Sequence, residues 1–352
     1  MEEGPEPARR PAQPTPPAPP SALSSGPAAV QAAPGSHAAA ALRRPTFHGR
    51  GATLAGIHVV NVLLILTTLG IYYFWARTRV RRYLFSQTEI ERDRFAYHGT
   101  GKELLLGTLK AALVFGVPVL LMNVVSEAPA VPEPVQIGTG LIAALLFFVF
   151  LPVALVGGRR YRLARTSWRG IRFSFRGSVR EIMRIFLRGT LYTVLTLGLY
   201  YPFFLVARQK FLVSHSYFGN ERFEFDGRGR DLFRPFLVSI LLTLPTLGVC
   251  WIWYVARKRR YFWDHTTFGT ARFSCTVTGV ALLGLWVVNT LLLVGTLGVA
   301  WPWVRVRSIH FAFRNLAMVG ALELERIEQD AQSVSAIGEG LAGFFDSGFD
   351  LA

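Results

Sequence analysis

Thr196-Leu197-Gly198-Leu199-Tyr200-Tyr201-Pro202-Phe203 closes one apolar run, opens another, and is soon followed by Arg208 and Lys210. Its first three residues recur as Thr68-Leu69-Gly70, Thr246-Leu247-Gly248 and Thr296-Leu297-Gly298, each time in apolar surroundings and ahead of a basic stretch. The last three copies stand 50 residues apart, and self-similarity at a fixed period marks a repeated structural unit. Glycine suits the backbone of a helix end. Pro202 and Pro302 stand four residues after Gly198 and Gly298, where a proline starts a helix but cannot continue one. The motif therefore predicts a turn between two helices, at Thr68, Gly70, Thr196, Gly198, Thr246, Gly248, Thr296 and Gly298. A single kinked helix per unit is the alternative.

A second marker travels with the first. Phe95-Ala96-Tyr97-His98-Gly99, Phe173-Ser174-Phe175-Arg176-Gly177 and Phe223-Glu224-Phe225-Asp226-Gly227 share the form aromatic-x-aromatic-x-Gly. Phe47-His48-Gly49 reads as a shortened copy, and Phe273 to Gly279 as a lengthened one. Period-two alternation ended by glycine predicts a short strand with one buried face. Gly49 to Gly99 and Gly177 to Gly227 are both 50 residues, whereas Gly99 to Gly177 is 78. The second unit is thus enlarged, with two full apolar spans around a loop at Glu127 to Pro134.

The 352 residues are 51% apolar yet carry a formal charge of +16. The runs Leu104 to Val125, Ile137 to Val156, Phe236 to Val255 and Val280 to Val304 approach or exceed the ~20 residues that cross a bilayer, and runs of this size exposed to water would aggregate. An integral membrane protein accounts for both properties. A nucleic-acid partner would explain the charge alone and is not expected. The basic clusters include Arg77, Arg81 and Arg82; Arg159 and Arg160; Arg208; Arg257, Arg259 and Arg260; and Arg305. Basic residues collect on the cytoplasmic face, and only units that enter and leave on one side keep every cluster there. Beside apolar helices these residues are candidates for binding anionic lipid headgroups, each contributing ~1 kcal/mol near the surface, or a protein partner.

Nine residues before each motif glycine lie Asn61, Gly189, Ser239 and Asn289. Small or polar residues in one slot of an apolar helix mark helix packing; the alternative makes Asn61 and Asn289 part of a solute path in a transporter or channel. Gln87, His215, His265 and Asn315 share another slot and suggest a recurring hydrogen-bond position. Cys250 and Cys275 form no metal or disulfide pattern. No catalytic motif, cofactor site or metal site emerges, so an enzyme is not expected.

Thr196 to Phe203 and Thr296-Leu297-Gly298-Val299-Ala300-Trp301-Pro302-Trp303 resemble the repeated signature of the YjgN-type bacterial inner-membrane family, as do Thr266-Thr267-Phe268-Gly269 and the aromatic strands. The chain departs from that signature at Phe74 and Ile252, where proline is expected. The resemblance, over roughly residues 46 to 320, implies a polytopic bacterial inner-membrane protein of uncharacterised activity.

The expected fold is mainly α, polytopic and membrane-integral, with helical-hairpin units of ~50 residues and short aromatic β-strands between them. Residues 1–45 read as a disordered Pro/Ala-rich leader. Residues 46–320 form the repeat domain, with units near 50–99, 100–177, 178–227, 228–279 and 280–320. Residues 321–352 read as an acidic, mostly disordered tail. Its expected work is non-enzymatic binding or organisation at the membrane, with basic elbows facing the cytoplasm.

Overall fold

A computed structural model describes residues 42–129, 131–320 and 327–328. Two short strands, β1 (Leu42–Arg43) and β2 (Thr46–Phe47), lead into α1 (Gly51–Thr67) and α2 (Tyr73–Ser86), then β3 (Thr88–Ile90) and β4 (Asp93–Tyr97). The same order follows in α3 (Gly101–Ala111), a π-helical turn at Ala112–Gly116, α4 (Val117–Glu127), α5 (Glu133–Ala164), β5 (Thr166–Trp168) and β6 (Ile171–Phe175). Next come α6 (Val179–Leu195), α7 (Tyr201–Ser214), β7 (Ser216–Phe218) and β8 (Glu221–Phe225). The chain continues with α8 (Gly229–Leu241), α9 (Cys250–Asp264), β9 (Thr266–Phe268) and β10 (Ala271–Cys275), and finishes with α10 (Gly279–Gly295), α11 (Trp301–Arg314) and β11 (Leu316–Val319). The architecture is mostly helical with one large antiparallel sheet.

That sheet is more than the isolated strands expected between units. Each second helix is followed at once by a further strand, so the strands come as hairpins and the sheet has 11 of them, in the order β1-β11-β10-β9-β8-β7-β6-β5-β4-β3-β2. The two end strands are consecutive in the chain. Arg44 and Pro45 alone separate β1, paired with β11, from β2, paired with β3. Proline has no N–H for a ladder, which interrupts what is otherwise one strand. Counted as one, β1 and β2 leave ten strands, and an even number is what an all-antiparallel closed sheet needs. Residues 42–45, assigned by composition to the leader, thus complete the ring. The helices close too, since α1 packs on α11.

Side chains alternate across the strands. Trp168, Phe218 and Phe268 form a buried aromatic cluster, against which Phe95, Phe173, Phe223 and Phe273 pack. The opposite face of the longer strands repeats Arg94, Arg172, Arg222 and Arg272. Glycine in the aromatic-x-Gly pattern has a local cause. A Cβ on Gly99 would lie 2.6 Å from the Tyr97 ring, one on Gly177 2.6 Å from Phe175, and one on Gly227 2.5 Å from Phe225. In each case the aromatic ring two residues earlier occupies the space of a side chain. The fourth copy has the small Cys275 in the ring position, and Val277 replaces the glycine. That strand, β10, has the same five residues as β4, β6 and β8, so it is not lengthened as Phe273 to Gly279 suggested.

Where each second helix ends, its C-cap residue receives a backbone bond from the preceding unit: His98 N donates to Arg165 O (2.8 Å), Arg176 N to His215 O (2.9 Å) and Asp226 N to His265 O (3.2 Å). Gln87 and Asn315 accept in the same way from His48 N and Thr276 N. The side chains of His215 and His265 bond the carbonyls of Phe211 and Tyr261 at 2.9 Å, and Asn315 donates to Phe311 O at 2.8 Å. This slot joins successive units.

Two helical stretches, Gly101–Glu127 and Glu133–Ala164, are long and apolar enough to cross a membrane by length and composition. They are the arms of the enlarged unit, linked by residues 128–132. Among the described residues every other helix has 13 to 17 residues. Of the leader, 1–41 lies outside the described residues. Of the tail, Ile327 and Glu328 alone are described: Ile327 packs on the aromatic cluster, and Glu328 N donates to Asn220 Oδ1 at 3.3 Å.

Candidate functional site

Each Thr-Leu-Gly is a tight turn between antiparallel helices. Gly70 N donates to Ile65 O (2.8 Å), Gly198 N to Thr193 O (2.7 Å), Gly248 N to Thr243 O (2.8 Å) and Gly298 N to Leu293 O (2.7 Å). This six-to-one bond, with the leucine N–H reaching the carbonyl three residues back, is the Schellman closure of a helix. The threonine bridges the two helices. Thr68 Oγ1 donates to Leu64 O at 2.6 Å and accepts from Tyr72 N at 2.9 Å. Thr196, Thr246 and Thr296 repeat both bonds, the acceptor contact lengthening to 3.4 Å at Cys250 N. One hydroxyl thus satisfies a donor that a helix start leaves without an intrahelical partner.

The leucine is the unexpected member. In this closure the first left-handed position is usually glycine, but here Leu69, Leu197, Leu247 and Leu297 hold it at φ of +51°, +49°, +48° and +50°, with glycine next at +82° to +93°. A side chain in that region costs ~1–2 kcal/mol, and these four are 93–95% exposed. Packing against the described residues gives them almost nothing.

The predicted basic residues separate into two groups. Arg82, Arg257 and Arg260 are exposed, and Arg260 also donates to Val277 O at 2.7 Å. Its counterpart Arg160 donates to Gly177 O at 3.0 Å. Half-buried Arg77 reaches the Tyr73 hydroxyl at 3.4 Å. Arg208 and Arg259 are half-buried within electrostatic reach of Lys258. Arg81, by contrast, is buried beside the Tyr97 ring and hydroxyl. Together with Arg159 and Arg305 it lines a partly open cavity of about 580 Å³. Which arginines turn inward depends on where the ring's axis lies, and a helix-by-helix reading has no access to that.

An outward basic stripe was missed. Arg180, Arg184 and Arg188 on α6 are all exposed at i, i+4 spacing, as are Arg230 and Arg234 on α8. The spacing itself was the available signal.

Asn61 and Asn289 do not line the cavity. Each ties together the two helices of its own unit: Asn61 Nδ2 donates to Ala76 O at 3.4 Å, and Asn289 Nδ2 to Ser308 Oγ at 3.2 Å. In the same slot a Cβ on Gly189 would lie 2.1 Å from Phe204 Cδ2, and Cys250 Sγ contacts Ser239 O at 3.2 Å. The arms are in close contact at this slot. Among the described residues no group of three or more His, Cys, Asp or Glu side chains could hold a metal. Cys250 and Cys275 are free and buried, and burial pushes the Cys275 thiol up, away from ionisation.

A family model described as "Bacterial protein of unknown function (DUF898)" matches residues 43–252 and 240–344, which include nearly all the described chain. The chain belongs to the DUF898 family. Three curated proteins named "Inner membrane protein YjgN" are similar to this DUF898 chain. The Escherichia coli O157:H7 protein is 36% identical over 136 residues, covering 39% of this chain and 32% of the relative. The K12 strain protein is 37% identical over 134 residues, 38% of this chain and 31% of the relative. The Salmonella typhimurium protein is 31% identical over 155 residues, 42% and 37% respectively. The match spans about a third of the length of these relatives. No solved structure matches the chain.

Proposed function

We propose that this is a multi-pass protein of the bacterial inner membrane with a non-enzymatic binding or organising role. Its hairpin units enter the bilayer from the cytoplasmic side, and its outward arginines hold anionic headgroups around the ring. The observation that carries this reading is the set of four exposed leucines at the helix turns. A strained leucine in place of glycine is unfavourable in water, but in hydrocarbon each side chain recovers ~1.5–3 kcal/mol of apolar burial. The name of the similar relatives, inner membrane protein, supports the same placement.

The charges support a shallow insertion for the short units. On α6, Arg180, Arg184 and Arg188 are exposed below an apolar end of seven residues, Gly189 to Leu195, or about 10 Å of helix. That end fits one leaflet, with the arginines at headgroup level. The sheet and its arginine-bearing face then lie in the cytoplasm, where positive charge collects.

The test is lipid retention. Native mass spectra of the purified protein in mild detergent should show bound anionic phospholipid in preference to zwitterionic lipid. Replacing Arg184, Arg188, Arg257 and Arg260 by Gln should reduce the retained number. Unchanged retention, or equal retention of zwitterionic lipid, rejects the headgroup role. Saturable solute uptake into liposomes, lost in Asn61→Ala and Asn289→Ala, would replace this reading by the transporter.

A further inference from the structure

Two neighbouring units set half-buried cations against one another. Arg208 on α7 and Lys258 on α9 stand 50 residues apart in the same slot of their units. The other three units have Val80, Gly158 and Ser308 there. Lys258 lies within electrostatic reach of both Arg208 and Arg259, and all three are half-buried. Like charges away from bulk water repel one another more strongly than they do in it. Among the described residues none of the three has a hydrogen bond or an ion pair, and the Arg259 Nε is fully buried in that condition.

Packing brings two phenols to the same place. α8 packs on both α7 and α9, and its Phe236 touches Tyr201 of α7 and Tyr254 of α9, with ring centroids 5.9 and 5.6 Å apart. Tyr201 precedes Arg208 by seven residues and Tyr254 precedes Lys258 by four. These are two turns and one turn of helix, so each cation shares a face with a phenol that Phe236 holds. Tyr201 is within electrostatic reach of both Arg208 and Tyr254. Tyr254 is only 4% exposed, and its hydroxyl has no hydrogen-bond partner among the described residues. A buried hydroxyl left so is costly. One oxyanion relieves both the charge repulsion and the unpaired hydroxyl. The planar arginine fork matches two phosphate oxygens, and a lysine adds a compact point charge. A phosphate dianion balances Arg208 and Lys258 together, whereas a carboxylate balances one of them.

We propose that Arg208, Lys258 and Tyr254 bind one phosphate group between α7 and α9, with Arg259 adding its charge beside them. Arg208 donates to two oxygens, Lys258 to a third, and the Tyr254 hydroxyl donates to the same group. The chemistry is common to a free ion and to the head of a lipid. The site depends neither on how the chain sits in the bilayer nor on the outward arginines.

The experiment uses the full chain in uncharged detergent, followed by thermal unfolding and calorimetric titration. The probes are inorganic phosphate, lysophosphatidate and, at matched ionic strength, sodium chloride. We expect a saturable rise in unfolding temperature with one phosphate-bearing probe per chain, and none with chloride. Tighter binding of inorganic phosphate assigns a free ion; tighter binding of lysophosphatidate assigns a lipid head. Arg208→Gln, Lys258→Gln and Tyr254→Phe should each weaken that binding about tenfold, the loss of roughly one charge-assisted bond. Without phosphate, Lys258→Gln should unfold above the parent because repulsion is relieved, and Tyr254→Phe at or above it. Lys210→Gln and Arg222→Gln, both at exposed positions, should leave binding unchanged. An equal rise with chloride overturns the site, as does equal weakening by the two exposed variants, which means surface adsorption. Parent-like binding by Arg208→Gln and Tyr254→Phe also overturns it. Binding seen only after Glu323, Glu325 and Asp330 are changed to Gln, Gln and Asn assigns the place to a carboxylate of the chain itself and rejects the phosphate. Anionic lipid still retained by the outward arginines in any of these cases leaves the headgroup role standing alone.

Discussion

The enlarged unit and its neighbours should reach different depths. Each first arm begins just after a strand glycine, so the arms start level on the sheet: Gly101 follows Gly99, Val179 follows Gly177, and Gly51 follows Gly49. The first arm of the enlarged unit runs 27 residues, Gly101–Glu127, whereas α1, α6 and α10 run 17. At ~1.5 Å per residue these arms measure about 40 Å and 25 Å. The turns of the short units therefore stop about 15 Å below the enlarged one, half of a ~30 Å hydrocarbon core. Spin labels at Leu197→Cys and Glu127→Cys, in a chain whose Cys250 and Cys275 are replaced by Ala, test this in liposomes. The label at 197 should collide with oxygen and be shielded from a water-soluble nickel complex, close to the bilayer midplane. The label at 127 should be reached by the nickel complex from the far side. Equal access of the nickel complex to both positions from that side would refute the reasoning.

Thr196→Val removes the bond to Tyr192 O and the acceptor for Tyr200 N, and should lower stability in detergent by about 1–2 kcal/mol, with Thr196→Ser close to the parent. Gly189→Ala should destabilise by about 1–3 kcal/mol through overpacking against Phe204, read as a lowered unfolding temperature, and adding Phe204→Leu should recover part of it. Gly219→Ala places a Cβ 2.3 Å from Glu328 O at φ +58°, so protease cleavage beyond residue 320 should accelerate while the ring stays folded. Leu69, Leu197, Leu247 and Leu297 changed together to Gly should raise the unfolding temperature in detergent, because left-handed strain of ~1–2 kcal/mol is relieved at each position and little packing is lost, but should reduce insertion of the short units, seen as faster exchange of their turn amides in liposomes.

Much of the helical layer is readable along the chain because the turn is local. Thr196 to Pro202 contains the hydroxyl, the left-handed positions and the helix-starting proline in seven residues, and the 50-residue period repeats them. The closed sheet is hidden for the opposite reason. Thr166–Trp168 and Ser216–Phe218 are three-residue strands at the end of a basic helix, too short to show a period, and they pair with strands of the preceding unit. Leu42 to Phe47 adjoins a Pro/Ala-rich segment and contains Pro45, features of a linker, yet it bridges β11 and β3. Val277 in place of glycine misled for want of the Tyr97, Phe175 and Phe225 ring positions. The outward stripe Arg180-Arg184-Arg188 needed only the helical spacing and was legible, while the inward placement of Arg81 and Arg305 required the ring itself.

Closure of the ring also sets a schedule for synthesis. The His310 ring reaches Gly49 O at 3.4 Å, across a separation of 261 residues, and β1 cannot pair until β11 has been made. At roughly 5–20 residues per second, α1 and the first strand edge wait about 13–50 s for their partners. Every earlier stage of the growing chain has one open flank on each side, and whatever insertase or chaperone receives it must cover both until the last helix arrives.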